Sequence, residues 1–220
     1  LDLMYGLPGQ SLTGVLADLR QAVDLAPEHL SWYQLTLEPN TAFYRAPPPL
    51  PDDERIADMS DAGLALLEEA GYARYEISAF ARPGRQCRHN LNYWQFGDYL
   101  GIGPGAHGKR SYPTGAIVRR SKRRGPTDYL ASAASGRVSR EWSLDPDARI
   151  IEFFLNALRL ADGVPAESFV ARTGLALERV QDTISQAVEL GLLVDDTERI
   201  RPTERGIRYL NDLLALFAPG

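Results

Sequence analysis

A strand–turn–helix unit that begins at the first residue is the strongest constraint on the fold of this chain. Residues 1–5 form an apolar, strand-like run, residues 6–10 a glycine-containing turn, and apolar residues then recur at helical spacing over 12–23. Pro27 ends that helical run because proline cannot continue a helix. Since no turn or cap precedes the first strand, we expect the chain to begin inside a domain and to expose a strand edge.

A second strand–loop–helix unit follows the first. Residues 30–37 predict a buried strand, and a proline-rich loop then leads to a helix that Asp52 opens and Gly71 closes. Two more short strands are predicted at 75–80 and 99–102. The predicted fold class is therefore α/β, with residues 1–115 alternating strands and helices as in a parallel sheet or barrel.

The rest of the chain differs in character. Residues 116–142, which include the basic run 119–124, predict a linker and connecting segment. Beyond it, Asp145 and Pro146 make a well-formed helix start. Residues 143–220 then predict helices, a hairpin-like stretch at 192–201 and a last helix capped by Thr203, which is the layout of a small winged-helix-like domain.

Composition and charge exclude several functional classes. The 220 residues are 44% hydrophobic and 24% charged, so a globular protein is expected, and a net charge of −5 disfavours nucleic acid as a partner. Residues 164–202, which would form the DNA-reading face of a winged helix, carry four arginines against seven carboxylates. No apolar run is long enough for membrane insertion, and we expect a cytoplasmic protein. Cys87 is the single cysteine, which excludes an internal disulfide or a metal site built from several thiolates.

Four features could carry chemistry, and each has a plainer structural interpretation. Asp2 precedes a glycine turn at a strand end, where α/β folds bind ligands, although a buried strand and an ordinary turn give the same pattern. His89 and Tyr93 lie four residues apart among aromatic residues, and both side chains can bind haem iron; a hydrogen-bonded structural histidine is the alternative. His107 lies in a glycine-rich turn that closes a barrel edge or approaches a ligand. The run 119–124 is a solvated loop or a site for haem propionates, an acidic partner or phosphates.

Several segments together resemble one protein family. Residues 2–8 read Asp-Leu-Met-Tyr-Gly-Leu-Pro, close to a strand motif of the oxygen-independent coproporphyrinogen III oxidase-like group of radical-SAM proteins. The resemblance covers nearly the whole chain and continues at residues 33–39, 80–84, 101–108, 191–193 and 203–206.

This resemblance implies a six-stranded partial (β/α) barrel of which this chain holds the later strands, followed by the family's C-terminal domain. The family binds S-adenosylmethionine and a [4Fe–4S] cluster, the latter through a Cys-x3-Cys-x2-Cys motif. This chain has no copy of that motif, so its cluster cysteines are expected upstream, and no metal ligand or catalytic residue is assigned here. By position in the motifs, Asp2, Met4 and Thr36 are expected to contact S-adenosylmethionine.

The haem chaperone branch of the family, HemW, carries a His-Asn-x-x-Tyr motif tied to haem, and His89, Asn90 and Tyr93 reproduce it. The resemblance therefore implies haem binding at His89 and Tyr93 and delivery of haem to client proteins, with a homodimer left open. Coproporphyrinogen dehydrogenases have Arg-Asn at these two positions, and oxidative decarboxylation of coproporphyrinogen III is the alternative function. Whether the chain is an enzyme stays open at this point, and an acidic scaffold without activity is the third reading.

Overall fold

The computed structural model describes residues 1–218, apart from the side chains at 134 and 135, and it divides into two compact units, Leu1–Cys87 and Arg88 onward. The strands are β1 Asp2–Tyr5, β2 His29–Gln34, β3 Ala73–Glu76, β4 Ala79–Ala81, β5 His107–Ser111, β6 Ile117–Lys122, β7 Val138–Ser143, β8 Val164–Pro165 and β9 Arg199–Ile200. The helices are α1 Leu12–Asp24, α2 Ala42–Arg45, α3 Asp53–Glu69, α4 Arg88–Trp94, α5 Pro126–Ala131, α6 Pro146–Ala157, α7 Glu167–Thr173, α8 Glu178–Glu189, α9 Glu204–Arg208 and α10 Leu210–Ala215, with a 3-10 turn at Ala134–Arg137.

The N-terminal unit is a four-stranded sheet in the order β1-β2-β4-β3, with helices α1 and α3 over one face. Strands β1 and β2 are parallel, and Met4 pairs with Tyr33. The core lies between sheet and helices, where the Trp32 ring packs 4.3 Å from that of Tyr5, centroid to centroid. One face of this sheet is thus buried under α1 and α3.

The helix starts follow from their capping residues. Ser11 accepts a hydrogen bond from the Gly14 amide at the start of α1, and Asp52 accepts one from the Arg55 amide at the start of α3. These bonds satisfy backbone amides that have no partner within the helix. The helix start predicted at Asp52 is confirmed.

The predicted α/β alternation holds for the first two strand–helix units and then changes. Residues 75–80, predicted as one strand, contain the end of β3, a turn and the start of β4, and these two strands are antiparallel. The Glu76 carboxylate accepts a hydrogen bond from the Ser78 amide, which stabilises the reversal inside the apolar run. The predicted strand at 99–102 is reduced to a single bridge between Tyr99 and Lys109.

Residues predicted as a linker form regular structure instead. Strands β5, β6 and β7 make a three-stranded antiparallel sheet, so the basic run lies largely on a strand. Along β6, Ile117 is buried while Arg120 lies partly exposed, but arginines at neighbouring positions hide the two-residue alternation of a strand. The boundary between the two compact units, after Cys87, also differs from the predicted domain boundaries at 115 and 142.

Helices α6 to α10 build the end of the chain. Asp145 caps α6 by accepting from the Ala148 amide, as predicted, and Phe153 and Phe154 are fully buried. Strands β8 and β9 pair with each other, and the predicted hairpin at 192–201 is reduced to one bridge between Leu193 and Pro202. Thr203 caps α9, and the predicted last helix breaks at Tyr209 before α10.

Over residues 1–218, every helix is too short or too polar to cross a lipid bilayer.

Replacing Gly63 with alanine is expected to destabilise the N-terminal unit. A Cβ at Gly63 would lie 2.0 Å from the Trp32 ring, so the ring must move, and overpacking of this kind costs about 1–3 kcal/mol. Gly14→Ala in α1 is the matched control, because a Cβ there meets Ser11 Oγ at an ordinary 3.5 Å. That control should gain about 0.5–1 kcal/mol. Urea denaturation measures both, and equal effects of the two substitutions would contradict the packing described here.

Candidate functional site

The face of the N-terminal sheet opposite α1 and α3 carries two of the predicted ligand residues. Asp2 and Met4 alternate with core-facing residues along β1, and Met4 is 43% exposed beside Tyr33, which is 41% exposed. The structure therefore brings Asp2 and Met4 together on one open face. A carboxylate, a thioether and a phenol there offer a mixed polar and apolar surface.

Thr36 lies two residues beyond the end of β2, on an exposed stretch. Its hydroxyl donates a hydrogen bond to the Glu38 carboxylate at 3.0 Å. Thr36 thus follows the strand adjacent to β1 at its carboxyl end, which is where α/β folds place ligand-binding residues.

His29 is a residue of this face that the sequence analysis missed. Its Nε2 lies 2.9 Å from the Tyr75 hydroxyl, and burial lowers the pKa of the imidazole below its ordinary value, although Asp2 opposes that shift. Leu30, the next residue along β2, points into the core, so His29 lies on the opposite face of the sheet. That two-residue alternation is the signal that places His29 on the open face.

The predicted haem residues lie together on α4 in the C-terminal unit. The rings of His89 and Tyr93 are 4.8 Å apart between centroids in an edge-to-face arrangement, as expected for side chains four residues apart on one helix face. His89 is exposed and Tyr93 is half-buried. The imidazole is accessible, while the phenol is fixed by its surroundings.

A third aromatic residue extends this pair. The Tyr99 ring lies 4.4 Å from the Tyr93 ring between centroids, and its hydroxyl accepts a 2.6 Å hydrogen bond from Arg119 Nη1. Arg119 also donates from Nε to the Glu152 carboxylate at 2.7 Å. We call the three rings of His89, Tyr93 and Tyr99 the aromatic ladder. Arg119 and Glu152 hold its last ring in place. The sequence analysis missed Tyr99 and Glu152 and considered Arg119 only as part of the basic run, because a loop, a helix and a strand that only the tertiary fold brings together supply these three residues.

A buried lysine fixes the turn that follows α4. Lys109 is 2% exposed, and its ammonium group donates at 3.0 Å to the Phe96 carbonyl and at 3.0 Å to the Asp98 carboxylate. It also lies 4.0 Å from the centre of the Phe96 ring. Burial lowers the pKa of Lys109, although Asp98 opposes that shift. An ammonium group this deep needs all of these partners.

The basic run is bonded within the C-terminal unit. Arg120 is paired with Glu141 across the strands, and Arg123 Nε donates to the Gly136 carbonyl at 2.7 Å. Arg119 is likewise bonded to Tyr99 and Glu152. These arginines therefore stabilise the sheet through hydrogen bonds and ion pairs, and the run does not form a solvated loop.

The residues present do not fit an iron–sulfur cluster. Such clusters need several thiolates, and Cys87 is the only cysteine in the sequence. Among residues 1–218, no three His, Cys, Asp or Glu side chains are grouped so that they could hold a metal ion.

Comparison with known proteins shows what this chain is similar to. Residues 144–209 match the model of the HemN C-terminal domain. The chain is 48% identical over 218 residues to the heme chaperone HemW of Escherichia coli, covering 99% of this chain and 57% of that protein. It is also 48% identical over 217 residues to the heme chaperone HemW of Haemophilus influenzae, covering 99% and 56%. Over nearly its whole length, the chain is therefore similar to proteins named as heme chaperones of the HemW type. It spans a little over half the length of these HemW relatives.

A solved structure supports the same fold. The coproporphyrinogen III oxidase HemN of Escherichia coli, a radical SAM enzyme, matches with a TM-score of 0.71 at 17% identity, over 98% of this chain and 54% of that one. The predicted α/β fold class is confirmed, with a fold similar to that of HemN. Among the described residues, the sheets have four, three and two strands and close no barrel.

Acid should weaken the C-terminal unit through Asp98. Burial alone would raise the pKa of Asp98, but hydrogen bonds from the Ser111 amide and Lys109 outweigh it and hold the pKa below its ordinary value. The stabilisation is therefore complete above the unfolded pKa of about 3.9 and is lost as the pH falls through the lower folded pKa.

Asp98→Asn tests this linkage. We expect it to destabilise the unit by about 1–3 kcal/mol at pH 7, because a hydrogen bond to a charged group is weakened. The loss of stability between pH 5 and pH 3, measured by denaturation, should also become shallower than in the unmodified chain. The exposed Asp195→Asn is the control and should leave both unchanged. An unaltered pH profile in Asp98→Asn would contradict the assignment.

Proposed function

We propose that this chain is the haem-binding part of a haem chaperone, with His89 as an iron ligand and Tyr93 beside it. The observation that carries the proposal is the exposed His89 imidazole packed edge-to-face against Tyr93 on α4. An accessible imidazole on a rigid helix is a suitable axial ligand, since histidine is a common ligand of haem iron. Tyr93 supplies an aromatic surface for the porphyrin or, through its phenol oxygen, a second ligand for the iron.

The similarity to HemW proteins supports the same function. Two relatives at 48% identity are named heme chaperones, and they match nearly all of this chain. The alternative, oxidative decarboxylation of coproporphyrinogen III, has support from a likeness of fold at 17% identity. The local sequence His89-Asn90 favours the chaperone.

Cofactor binding is proposed for the open face of the N-terminal sheet. Asp2 would accept hydrogen bonds from S-adenosylmethionine, while Met4 and Thr36 would pack near its adenosine. The exposed carboxylate and the half-exposed thioether on one face fit such a ligand. Bound S-adenosylmethionine with a [4Fe–4S] cluster supplies radical chemistry in this family, and the cluster's thiolates would come from outside these 220 residues.

The remaining expectations are part of the same proposal. Client proteins would receive the haem in the cytoplasm, and a homodimer is compatible with it. Nucleic acid is not proposed as a partner, because residues 164–202 carry a net charge of −3.

Haem titration of the chain tests the iron ligand. His89→Ala should shift or abolish the Soret band and weaken haem binding at least about tenfold, since even partners of metal ligands commonly contribute that much. His107→Ala removes another exposed histidine of the same unit and should behave as the unmodified chain. If His89→Ala keeps the original spectrum and affinity, His89 is not the ligand.

Equilibrium dialysis with labelled S-adenosylmethionine tests the second site. Asp2→Ala should weaken binding by about tenfold, because it removes a charged hydrogen-bond acceptor. Asp24→Ala, an exposed carboxylate at the end of α1, should have no effect. Equal affinities for the two variants would remove Asp2 from the site.

A further inference from the structure

The aromatic ladder continues the proposed haem motif into the interior of the C-terminal unit. Ring centroids are separated by 4.8 Å from His89 to Tyr93 and by 4.4 Å from Tyr93 to Tyr99. At these separations, the position of each ring limits the rotamers open to the next. The orientation of Tyr93 therefore depends on where Tyr99 is held.

Tyr99 is held at its hydroxyl by a charged pair. Arg119 Nη1 donates to Tyr99 Oη at 2.6 Å, and the Arg119 guanidinium is itself paired with Glu152. The side chains of Arg119 and Glu152 are 14% and 24% exposed, so solvent screens the pair only partly. A planar guanidinium that bonds a carboxylate on one side and a phenol on the other fixes the phenol in direction as well as distance.

Tyr99 is also held at its backbone. Its amide donates to the Lys109 carbonyl at 3.0 Å, and the Lys109 amide donates back to the Tyr99 carbonyl at 3.0 Å. Two residues further on, a Cβ at Gly101 would lie 2.1 Å from the His107 carbonyl oxygen, so the two chain segments pass in direct contact. Neither the backbone nor the side chain of Tyr99 is free to move alone.

We infer that Tyr99, fixed by Arg119 and Glu152, is a positioning residue that sets the orientation of Tyr93 and so presents His89 and Tyr93 to haem in a single geometry. The inference rests on the proposed function. Tyr99 is given a positioning role and not that of an iron ligand, because its hydroxyl is already bonded to Arg119.

The test is haem titration of the full chain, read by affinity, by Soret position and by the EPR spectrum of the ferric complex. Tyr99→Leu removes the ring and should weaken haem binding about two- to tenfold with a heterogeneous EPR signal. Tyr99→Phe keeps the ring without the hydroxyl and should show an intermediate loss of affinity, because the ring still packs against Tyr93 but Arg119 no longer holds it. Thermal melting of each variant in the absence of haem shows that it is folded.

Two further variants connect Tyr99 to its anchor. Arg119→Gln should resemble Tyr99→Phe, and the double variant should lose no more than either single one, because both remove the same hydrogen bond. Arg120→Gln is the matched control: Arg120 is the next residue on the same strand, is paired with Glu141, and should leave haem binding unchanged.

The outcomes separate the two proposals. If His89→Ala abolishes the haem spectrum while folded Tyr99→Leu and Arg119→Gln match the unmodified chain, the positioning role is overturned and the haem site stands. If the unmodified chain binds no haem, or His89→Ala changes nothing, the proposed function fails and the positioning role fails with it. Additive losses in the double variant would also overturn the shared anchor.

Discussion

Lys109 carries an ammonium group into the interior of the C-terminal unit, where it must be matched by acceptors. Its partners are the Phe96 carbonyl and the Asp98 carboxylate, both in the turn after α4. Moving that turn would leave a buried charge unpaired, which is among the most costly changes a fold can suffer. The turn is therefore fixed, and with it the end of α4 and the start of the segment that carries Tyr99. The geometry of the proposed haem motif on α4 therefore depends on how this buried charge is paired.

The N-terminal unit supports its candidate ligand residues in a different way. Its sheet buries one face under α1 and α3, where Trp32 packs closely on the helical Gly63. The other face keeps Asp2 and Met4 exposed beside Tyr33. A rigid sheet with one committed face and one open face is a suitable platform for a ligand, because the backbone that carries the binding side chains is already held by the core. Each unit thus presents its candidate ligand residues from elements that are stabilised on the opposite side.

The sequence was sufficient where one local rule decides the outcome. Asp52 and Asp145 were recognised as caps because a cap depends on residues within one helical turn, and His89 and Tyr93 share a helix face because they are four residues apart. Strand β6 and most of β7 lie within residues 116–142, for which the sequence predicts a linker, because consecutive arginines on β6 hide the alternation of a strand. The contact of Tyr99 with Arg119 joins residues 20 positions apart and follows from no local pattern.

The most direct test of the account is a crystal structure of the chain with ferric haem. The account predicts that the iron is bound by the imidazole of His89, with Tyr93 against the porphyrin or on the iron and the hydrogen bond from Arg119 to Tyr99 intact. An iron ligated by Met4 or Cys87, or a porphyrin bound away from α4, would contradict it.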